Sequence, residues 1–171
     1  AIEHLLGKVD TILLGGAMAY TFIVATGEGV GKSVVESDRV KDAKNMIEAA
    51  TASSTVLCLP VDHVCAQKIE ESAPTQTVIG SIPDGWMGLD IGPETISKYA
   101  HILQNAKTII WNGPMGVFET MPFEEGTRQI AKAIAKAKER GATSIVGGGD
   151  SAAAISAFKL DSKMTHISTG G

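Results

Sequence analysis

The sequence predicts an α/β fold with three layers, in which a mostly parallel sheet is covered by helices on both faces. Short apolar runs bounded by glycine alternate along the chain with segments whose apolar residues recur at helical spacing. Strands that are buried on both faces read as continuous apolar runs, and helices between them supply right-handed crossovers. Strand and helix alternate from one end of the chain to the other, which favours one doubly covered sheet.

The first strand is predicted at 11–14, a β-branched and apolar run that ends at a pair of glycines. A helix follows it, because Met18, Phe22 and Ile23 recur at helical spacing. Residues 1–9 read as the end of a helix and do not begin with methionine. We therefore expect the chain to be a piece of a longer protein.

The middle of the chain predicts a helix and less regular strands. The helix carries its apolar residues at Val40, Ala43, Ile47 and Ala50. Strands are predicted at 55–59, 61–66 and 77–79. Residues 82–93 are dense in Gly, Pro and Asp, which predicts a loop. The Trp and Met in that loop either pack over the core or line a ligand site.

In the last part of the chain, predicted helices and strands alternate again. Helices are predicted from Pro93 and from Pro122, because proline suits the first turn of a helix. The inward faces are Ile96, Tyr99 and Leu103 in the first helix and Ile130, Ile134 and Ala137 in the second. Strands are predicted at 107–111, 143–146 and 163–167, with a last helix that ends near Phe158.

The composition of the chain argues against several classes of protein function. At 171 residues the chain suits a single domain with its own core, and 44% apolar and 20% charged residues are typical of a globular protein. No run approaches the ~20 apolar residues of a membrane span, and no signal peptide opens the sequence, so we expect a cytoplasmic protein without membrane contact. The net charge is −4 without a basic cluster, which argues against nucleic acid as a partner.

Four strands end at glycine-bearing turns, which follow Leu14, Trp111, Val146 and Ile167. The carboxyl ends of parallel strands meet at one edge of a sheet, where ligands bind in doubly wound folds. We therefore expect one crevice at the edge of a Rossmann-like sheet.

The turn at 112–119 offers chemistry for a nucleoside. Gly113 and Gly116 make room, while Val117 and Phe118 offer apolar surface. Glu119 can accept hydrogen bonds from hydroxyl groups such as those of a ribose. The alternative is an exposed turn with a solvated glutamate.

Residues 143–155 contain the most informative turn, in which a β-branched run leads into Gly147, Gly148, Gly149, Asp150 and Ser151 and then an alanine-rich helix. The first N–H groups of a helix lack intrahelical partners and favour a phosphate. A carboxylate beside a phosphate repels it unless a cation lies between them, so this turn favours a metal-nucleotide. The alternative is a tight connection in which Asp150 or Ser151 is an ordinary N-cap.

Two further motifs are weak evidence for a ligand or metal site. Residues 27–33, GEGVGKS, resemble a P-loop, but Thr26 stands where the pattern needs glycine and the segment follows a helix rather than a strand. A plain loop with a capping box formed by Ser33 and Glu36 is favoured. Cys58 and Cys65 lie seven residues apart, a spacing that fits no standard zinc site, so they are predicted to be buried thiols.

Seven stretches match, in order, the motifs of one family: LLGGAMAYTF (13–22), VGKS (30–33), LPVDHVCA (59–66), IPDGWMGLDIGP (82–93), WNGPMGVFE (111–119), GGGDSAA (147–153) and HISTGG (166–171). The chain resembles the C-terminal, nucleotide-binding domain of phosphoglycerate kinases. The resemblance implies reversible phosphoryl transfer from 1,3-bisphosphoglycerate to Mg-ADP, giving 3-phosphoglycerate and Mg-ATP in glycolysis. It also implies that residues 1–171 form this single domain of a two-domain kinase, without the substrate domain and the C-terminal helix.

The motif match further implies the roles of individual residues. Those expected to border ADP or ATP are Gly16, Ala17, Gly88, Leu89, Asn112, Gly113, Pro114, Val117 and Glu119, the last on the ribose. Those expected around the phosphates are Gly148 and Gly149 through their N–H groups, Asp150 as the Mg²⁺ ligand and Ser151 at the helix N-terminus. Those expected beside the transferred phosphoryl group are Gly148, Gly149, Thr169, Gly170 and Gly171.

The same resemblance places 3-phosphoglycerate on the absent domain, together with an upstream turn whose lysines meet the nucleotide phosphates. We therefore expect this chain alone to bind nucleotide weakly and to catalyse nothing measurable, and the full protein to be a monomer that closes over its substrates. Two other readings stay open: a noncatalytic nucleotide-binding module, and a P-loop NTPase that depends on Lys32.

Overall fold

The computed structural model describes residues 2–160 and 163–167. In this part of the chain the α-helices are α1 (Gly16–Ala25), α2 (Val40–Thr51), α3 (Pro93–Leu103), α4 (Glu125–Glu139) and α5 (Gly149–Ala157). The strands are β1 (Thr11–Leu14), β2 (Val56–Cys58), β3 (Asp62–Ala66), β4 (Thr75–Ile79), β5 (Met87–Ile91), β6 (Thr108–Asn112), β7 (Thr143–Gly147) and β8 (His166–Ile167).

The larger sheet is parallel, with the strand order β2-β1-β6-β7-β8. Ile12 of β1 lies between Leu57 and Ile110, and Trp111 of β6 pairs with Val146 of β7. Because β1, β6 and β7 are parallel neighbours, the turns that follow them leave the same edge. The predicted parallel sheet is confirmed.

Helices cover both faces of this sheet, as predicted. On one face, Ile12, Leu14 and Ile110 pack with residues of α1 and α2, including Phe22 and Ala43. On the other face the sheet packs against α3, α4 and α5. The buried cluster there includes Leu13, Ile109, Trp111, Tyr99, Leu103, Ile130, Ile134 and Ile155. All four residues of β1 are buried, which explains its uninterrupted apolar run.

A second, antiparallel sheet interrupts the strand and helix alternation, with the order β4-β3-β5. The predicted loop at 82–93 is wrong over 87–91, which form β5. Its Gly88 and Asp90 are typical of turns, yet both are buried by contacts with distant segments. The prediction that helices separate the strands throughout the chain is wrong for residues 62–91.

Two local predictions also need correction, and a third is refined. Helix α4 begins at Glu125 rather than at Pro122. The residues before it form a turn, in which the N–H of Phe123 donates a hydrogen bond to the carbonyl of Thr120 and the Phe123 side chain is fully buried. Residues 1–9 were expected to be the end of a helix, and the helix found there is of the 3₁₀ type and spans Ile2–Leu5. The last strand is shorter than predicted and spans His166–Ile167.

The predicted capping box is also wrong. The short 3₁₀ helix Ser37–Arg39 has no side-chain cap, and the Ser33 hydroxyl bonds elsewhere.

Both cysteines are free and buried, as predicted. Burial raises the pKa of Cys58 to about 12 and that of Cys65 to about 11, so both are protonated thiols at neutral pH. Among the described residues, no three His, Cys, Asp or Glu side chains gather as a metal site would require. None of the helices in the described ranges has the length and apolar character needed to cross a membrane.

Candidate functional site

A cleft of about 300 Å³ opens at the carboxyl ends of β1 and β6. Its walls are the first turns of α1, the start of β5 and the turn that follows β6. The lining residues are Gly16, Ala17, Tyr20, Val34, Ile69, Met87, Gly88, Leu89, Pro114, Met115, Gly116, Val117, Phe118, Glu119 and Asp150. The cleft lies at the sheet edge where the glycine turns were expected to form a crevice.

Eight of the predicted site residues line this cleft: Gly16, Ala17, Gly88, Leu89, Pro114, Val117, Glu119 and Asp150. They come from four separate parts of the chain, and the fold brings them together. Apolar and backbone groups dominate the walls, whereas Glu119 and Asp150 are the exposed carboxylates.

The other predicted residues lie beside the cleft or outside the described part. Asn112, Gly113, Gly148, Gly149 and Ser151 are not among the lining residues. Ser151 is fully buried, and its Oγ accepts a hydrogen bond from the N–H of Gly113 at 2.8 Å. Thr169, Gly170 and Gly171 lie outside the described residues.

The first turn of α5 is arranged for an anion. The helix begins after Gly148, whose φ of +92° suits glycine, and its N-cap makes no side-chain hydrogen bond. The alternative in which Asp150 or Ser151 is the N-cap is therefore wrong, because the N-cap is Gly148. The first N–H groups of the helix carry the positive end of its dipole. Phosphate oxygens are suitable partners for them.

At the start of helix α3, a side chain of the protein itself pairs with the first N–H groups. The Asp62 carboxylate accepts hydrogen bonds from the N–H groups of Glu94 and Thr95 at 2.9 and 2.8 Å. Asp150, by contrast, is exposed in the first turn of α5 and lines the cleft. Asp150 therefore brings a carboxylate from the first turn of α5 to the cleft.

Several lining residues were not predicted: Tyr20, Val34, Ile69 and Met115. Met87 also lines the cleft, which was one of the two alternatives for the Met of the 82–93 loop. Tyr20 lies one helical turn beyond Gly16, a spacing that places both on one face of α1. Ile69 and Val34 are apolar yet 51% and 65% exposed, and they form the cleft rim. Their sequence neighbourhoods carry no signal for this position.

Tyr20 and Gly88 fit against each other at the closed end of the cleft. Tyr20 is only 6% exposed, and a Cβ on Gly88 would overlap its hydroxyl and ring. Burial raises the pKa of Tyr20 well above its usual value, so the phenol is neutral. Gly88 therefore presents bare backbone to the cleft.

Asp90 is a buried acidic residue that packs behind the cleft wall. Its carboxylate is 1% exposed and accepts hydrogen bonds from the N–H groups of Ile91 and Gly126, both at 2.9 Å. A Cβ on Gly116, in the cleft wall, would collide with Asp90. Burial raises the pKa of Asp90 to about 7, and the nearby carboxylates of Glu124 and Glu125 act in the same direction.

An aromatic contact links the cleft wall to the end of α5. The rings of Phe118 and Phe158 meet edge to face with centroids 6.2 Å apart. The guanidinium of Arg128 lies 5.1 Å from the Phe158 centroid and pairs with Glu125 at 2.8 Å. The cleft loop, α4 and α5 are thus packed into one unit.

The family model that matches this chain is described as phosphoglycerate kinase, and it matches residues 1–171. The chain belongs to the phosphoglycerate kinase family. Curated relatives include phosphoglycerate kinases of Thermosipho africanus, 52% identical over 99% of this chain, and of Rubrobacter xylanophilus, 54% identical over 99%. The chain spans 43% and 42% of these two relatives, respectively.

Solved structures agree with the sequence relatives. The phosphoglycerate kinase of Coxiella burnetii superposes with a TM-score of 0.90 at 41% identity, and the match covers 99% of this chain and 44% of that one. The Pyrococcus horikoshii enzyme superposes with a TM-score of 0.75 at 29% identity, covering 96% and 47% of the two chains. The family assigned from motifs is therefore confirmed by sequence and by fold.

Proposed function

We propose that this chain is the nucleotide-binding domain of a phosphoglycerate kinase and supplies the Mg-ADP/Mg-ATP half of its site. The full protein would then transfer a phosphoryl group reversibly between 1,3-bisphosphoglycerate and ADP in glycolysis. The observation that carries the proposal is one cleft that combines an apolar end, at Gly16, Gly88 and Val117, with Asp150 at the uncapped start of α5. These are the two environments that the two ends of a nucleotide need.

The apolar end suits a purine base. Leu89 and Val117 supply side-chain surface, while Gly16 and Gly88 let the backbone come close. Glu119 lines the same cleft and is exposed, so its carboxylate can accept hydrogen bonds from ribose hydroxyls.

The α5 end suits the phosphates of a magnesium nucleotide. Mg²⁺ keeps several waters and is commonly held by one or two carboxylates together with substrate phosphates. One exposed carboxylate, Asp150, in the first turn of a helix without a side-chain cap fits that donor set. When bound, the ion would neutralise charge on the phosphates.

The contribution of this chain to phosphoryl transfer is positional. The N–H groups of Gly149 and Asp150 at the start of α5 would orient the phosphates, and Asp150 would hold the metal. Ser151 and Gly113 keep this helix start against the turn after β6 through their 2.8 Å hydrogen bond. No protein nucleophile is required for this chemistry.

Calorimetric titration with ADP, in the presence of Mg²⁺ and in EDTA, tests the proposal. Asp150→Ala should weaken Mg-ADP binding at least about tenfold. In EDTA the variant should bind ADP as tightly as wild type or more tightly, because a repulsive carboxylate has been removed. Asp84→Ala is the matched control, since Asp84 is an exposed acid that does not line the cleft.

Equal Mg-ADP affinity in wild type and Asp150→Ala, or no binding by the wild-type chain, would contradict the proposal. A second assay separates binding from catalysis. The chain mixed with 3-phosphoglycerate and Mg-ATP should show no turnover above a buffer blank, because 3-phosphoglycerate binding is assigned to the other domain of the family.

A further inference from the structure

The GEGVGKS segment packs against the loop that leads into β5. Val30 forms a parallel bridge with Ile82, and the N–H of Ile82 donates to the carbonyl of Gly29 at 3.0 Å. The N–H of Lys32 donates to the carbonyl of Trp86 at 2.9 Å. These backbone groups are engaged within the protein, unlike those of a phosphate-binding loop, which are directed at the ligand.

Gly31 holds this contact in one arrangement. It has a φ of +57°, and a Cβ there would collide with the carbonyl oxygens of Pro83 and Trp86. The segment and the loop are therefore in direct backbone contact. The motif's glycine serves packing within the protein.

Ser33 connects the GEGVGKS segment to the wall of the cleft. Its Oγ accepts a hydrogen bond from the N–H of Gly88 at 2.8 Å, across 55 residues of sequence. Gly88 lines the cleft, and Val34, which follows Ser33, lines it as well. Ser33 is half-buried, so water competes only in part for this bond.

Gly88 has little freedom to move once this bond is made. Tyr20 occupies the space where a Cβ of Gly88 would lie. The Ser33 hydroxyl fixes the N–H of the same residue. Position and orientation of this peptide are thus set by two side chains from different segments.

We propose that Ser33 is a positioning residue for the nucleotide base, which acts by fixing the Gly88 backbone in the cleft wall. The inference rests on the proposed function, because it assumes that the base occupies the cleft end beside Gly88. Lys32, the residue that a P-loop would need, is exposed and is not among the residues that line the cleft.

The test compares Ser33→Ala, Ser33→Thr and Lys32→Ala in titrations with Mg-ADP and with adenosine. Loss of the hydroxyl should raise the Kd about three- to tenfold, as expected for one lost hydrogen bond. The factor should be the same for both ligands, because adenosine has no phosphates and the effect arises at the base. Ser33→Thr retains a hydroxyl and should bind within about twofold of wild type, as should Lys32→Ala.

Hydrogen exchange of the Gly88 amide adds a readout in the absence of ligand. It should be faster in Ser33→Ala than in wild type and Ser33→Thr, while exchange in β1 and β6 stays unchanged. This pattern separates a local effect from general destabilisation.

The possible failures are distinguishable. Wild-type chain that binds neither ligand would overturn the proposed function and this inference with it. Wild-type chain that binds both, with Ser33→Ala equally tight or with slow Gly88 exchange retained, would overturn the role of Ser33 alone. Weakened binding in Lys32→Ala but not in Ser33→Ala would also overturn it and favour a phosphate loop.

Discussion

The Oγ of Ser151 lies 2.8 Å from the backbone nitrogen of Gly113 and accepts its hydrogen bond. Ser151 is in the first turn of α5, and Gly113 begins the turn after β6. One buried hydroxyl therefore connects the two segments that we assign to the phosphates and to the nucleoside. The sequence placed Ser151 at the helix start but did not reveal this partner.

Replacing Ser151 by alanine should leave the Gly113 N–H without its partner. The expected cost is about 0.5–1.5 kcal/mol in the free energy of unfolding, because the half-buried N–H of Gly113 loses its partner within the protein. Ser151→Thr keeps the hydroxyl and should retain most of the stability. Urea denaturation measures both, with Ser156→Ala as the control, since Ser156 is exposed on the same helix. Ser151→Ala as stable as that control would refute the role of this bond.

Asp62→Ala should destabilise the chain by about 2 kcal/mol or more. The carboxylate is 1% exposed and holds the first turn of α3 through Glu94 and Thr95, while the hydroxyl of Thr95 donates to it at 2.5 Å. Hydrogen bonds to a charged group are among the stronger ones, and their loss leaves the N–H groups of Glu94 and Thr95 without this acceptor. Asp84→Ala should remain within about 0.5 kcal/mol. Equal unfolding midpoints for the two variants would contradict the capping role.

Asp90 should make stability depend on pH. Burial raises its pKa from 3.8 to about 7, so the folded chain binds more protons than the unfolded chain between these values. The contribution of Asp90 is therefore fully present below about 4 and is lost as the pH rises through 7. Burial lowers the pKa of His63, which gives the opposite slope, so the difference from a variant is informative.

The measurement is the free energy of unfolding between pH 4 and 8 for wild type and Asp90→Asn. The wild type should lose stability relative to the variant as the pH rises, since the amide cannot ionise. Glu124 and Glu125 face Asp90 and are retained in both proteins, so their effect on the other groups cancels to first order. Parallel curves for the two proteins would show that Asp90 has no raised pKa.

Local patterns predicted the large sheet because its strands are short apolar runs and because α2, α3 and α4 are amphipathic. They failed at β5, where Gly88 and Asp90 resemble turn residues. A side chain at position 88 would overlap Tyr20, and the buried carboxyl group of Asp90 accepts a hydrogen bond from the N–H of Gly126. Tyr20 and Gly126 are distant from β5 in the sequence, so these contacts exist only in the folded chain.

The residues of the candidate site also fall into two groups, those that the sequence predicted and those that it did not. Gly16, Val117 and Asp150 follow strand ends directly or within one turn, so the rule that ligands bind at the carboxyl edge of a parallel sheet was sufficient to find them. Val34 and Ile69 reach the cleft rim from segments outside the large sheet. Their position depends on packing of the smaller sheet and its loops, for which the sequence carries no periodic signal.

Amide chemical-shift mapping of the ¹⁵N-labelled chain, first with adenosine and then with Mg-ADP, locates the nucleotide most directly. Adenosine should perturb Gly16, Gly88 and Val117, and Mg-ADP should perturb these amides and also Asp150 and its neighbours in the first turn of α5. That pattern would place the base in the apolar end and the phosphates at the helix start. Perturbations confined to residues 27–33, or to the groove lined by Ile47, Thr51 and Leu57, would contradict the assignment.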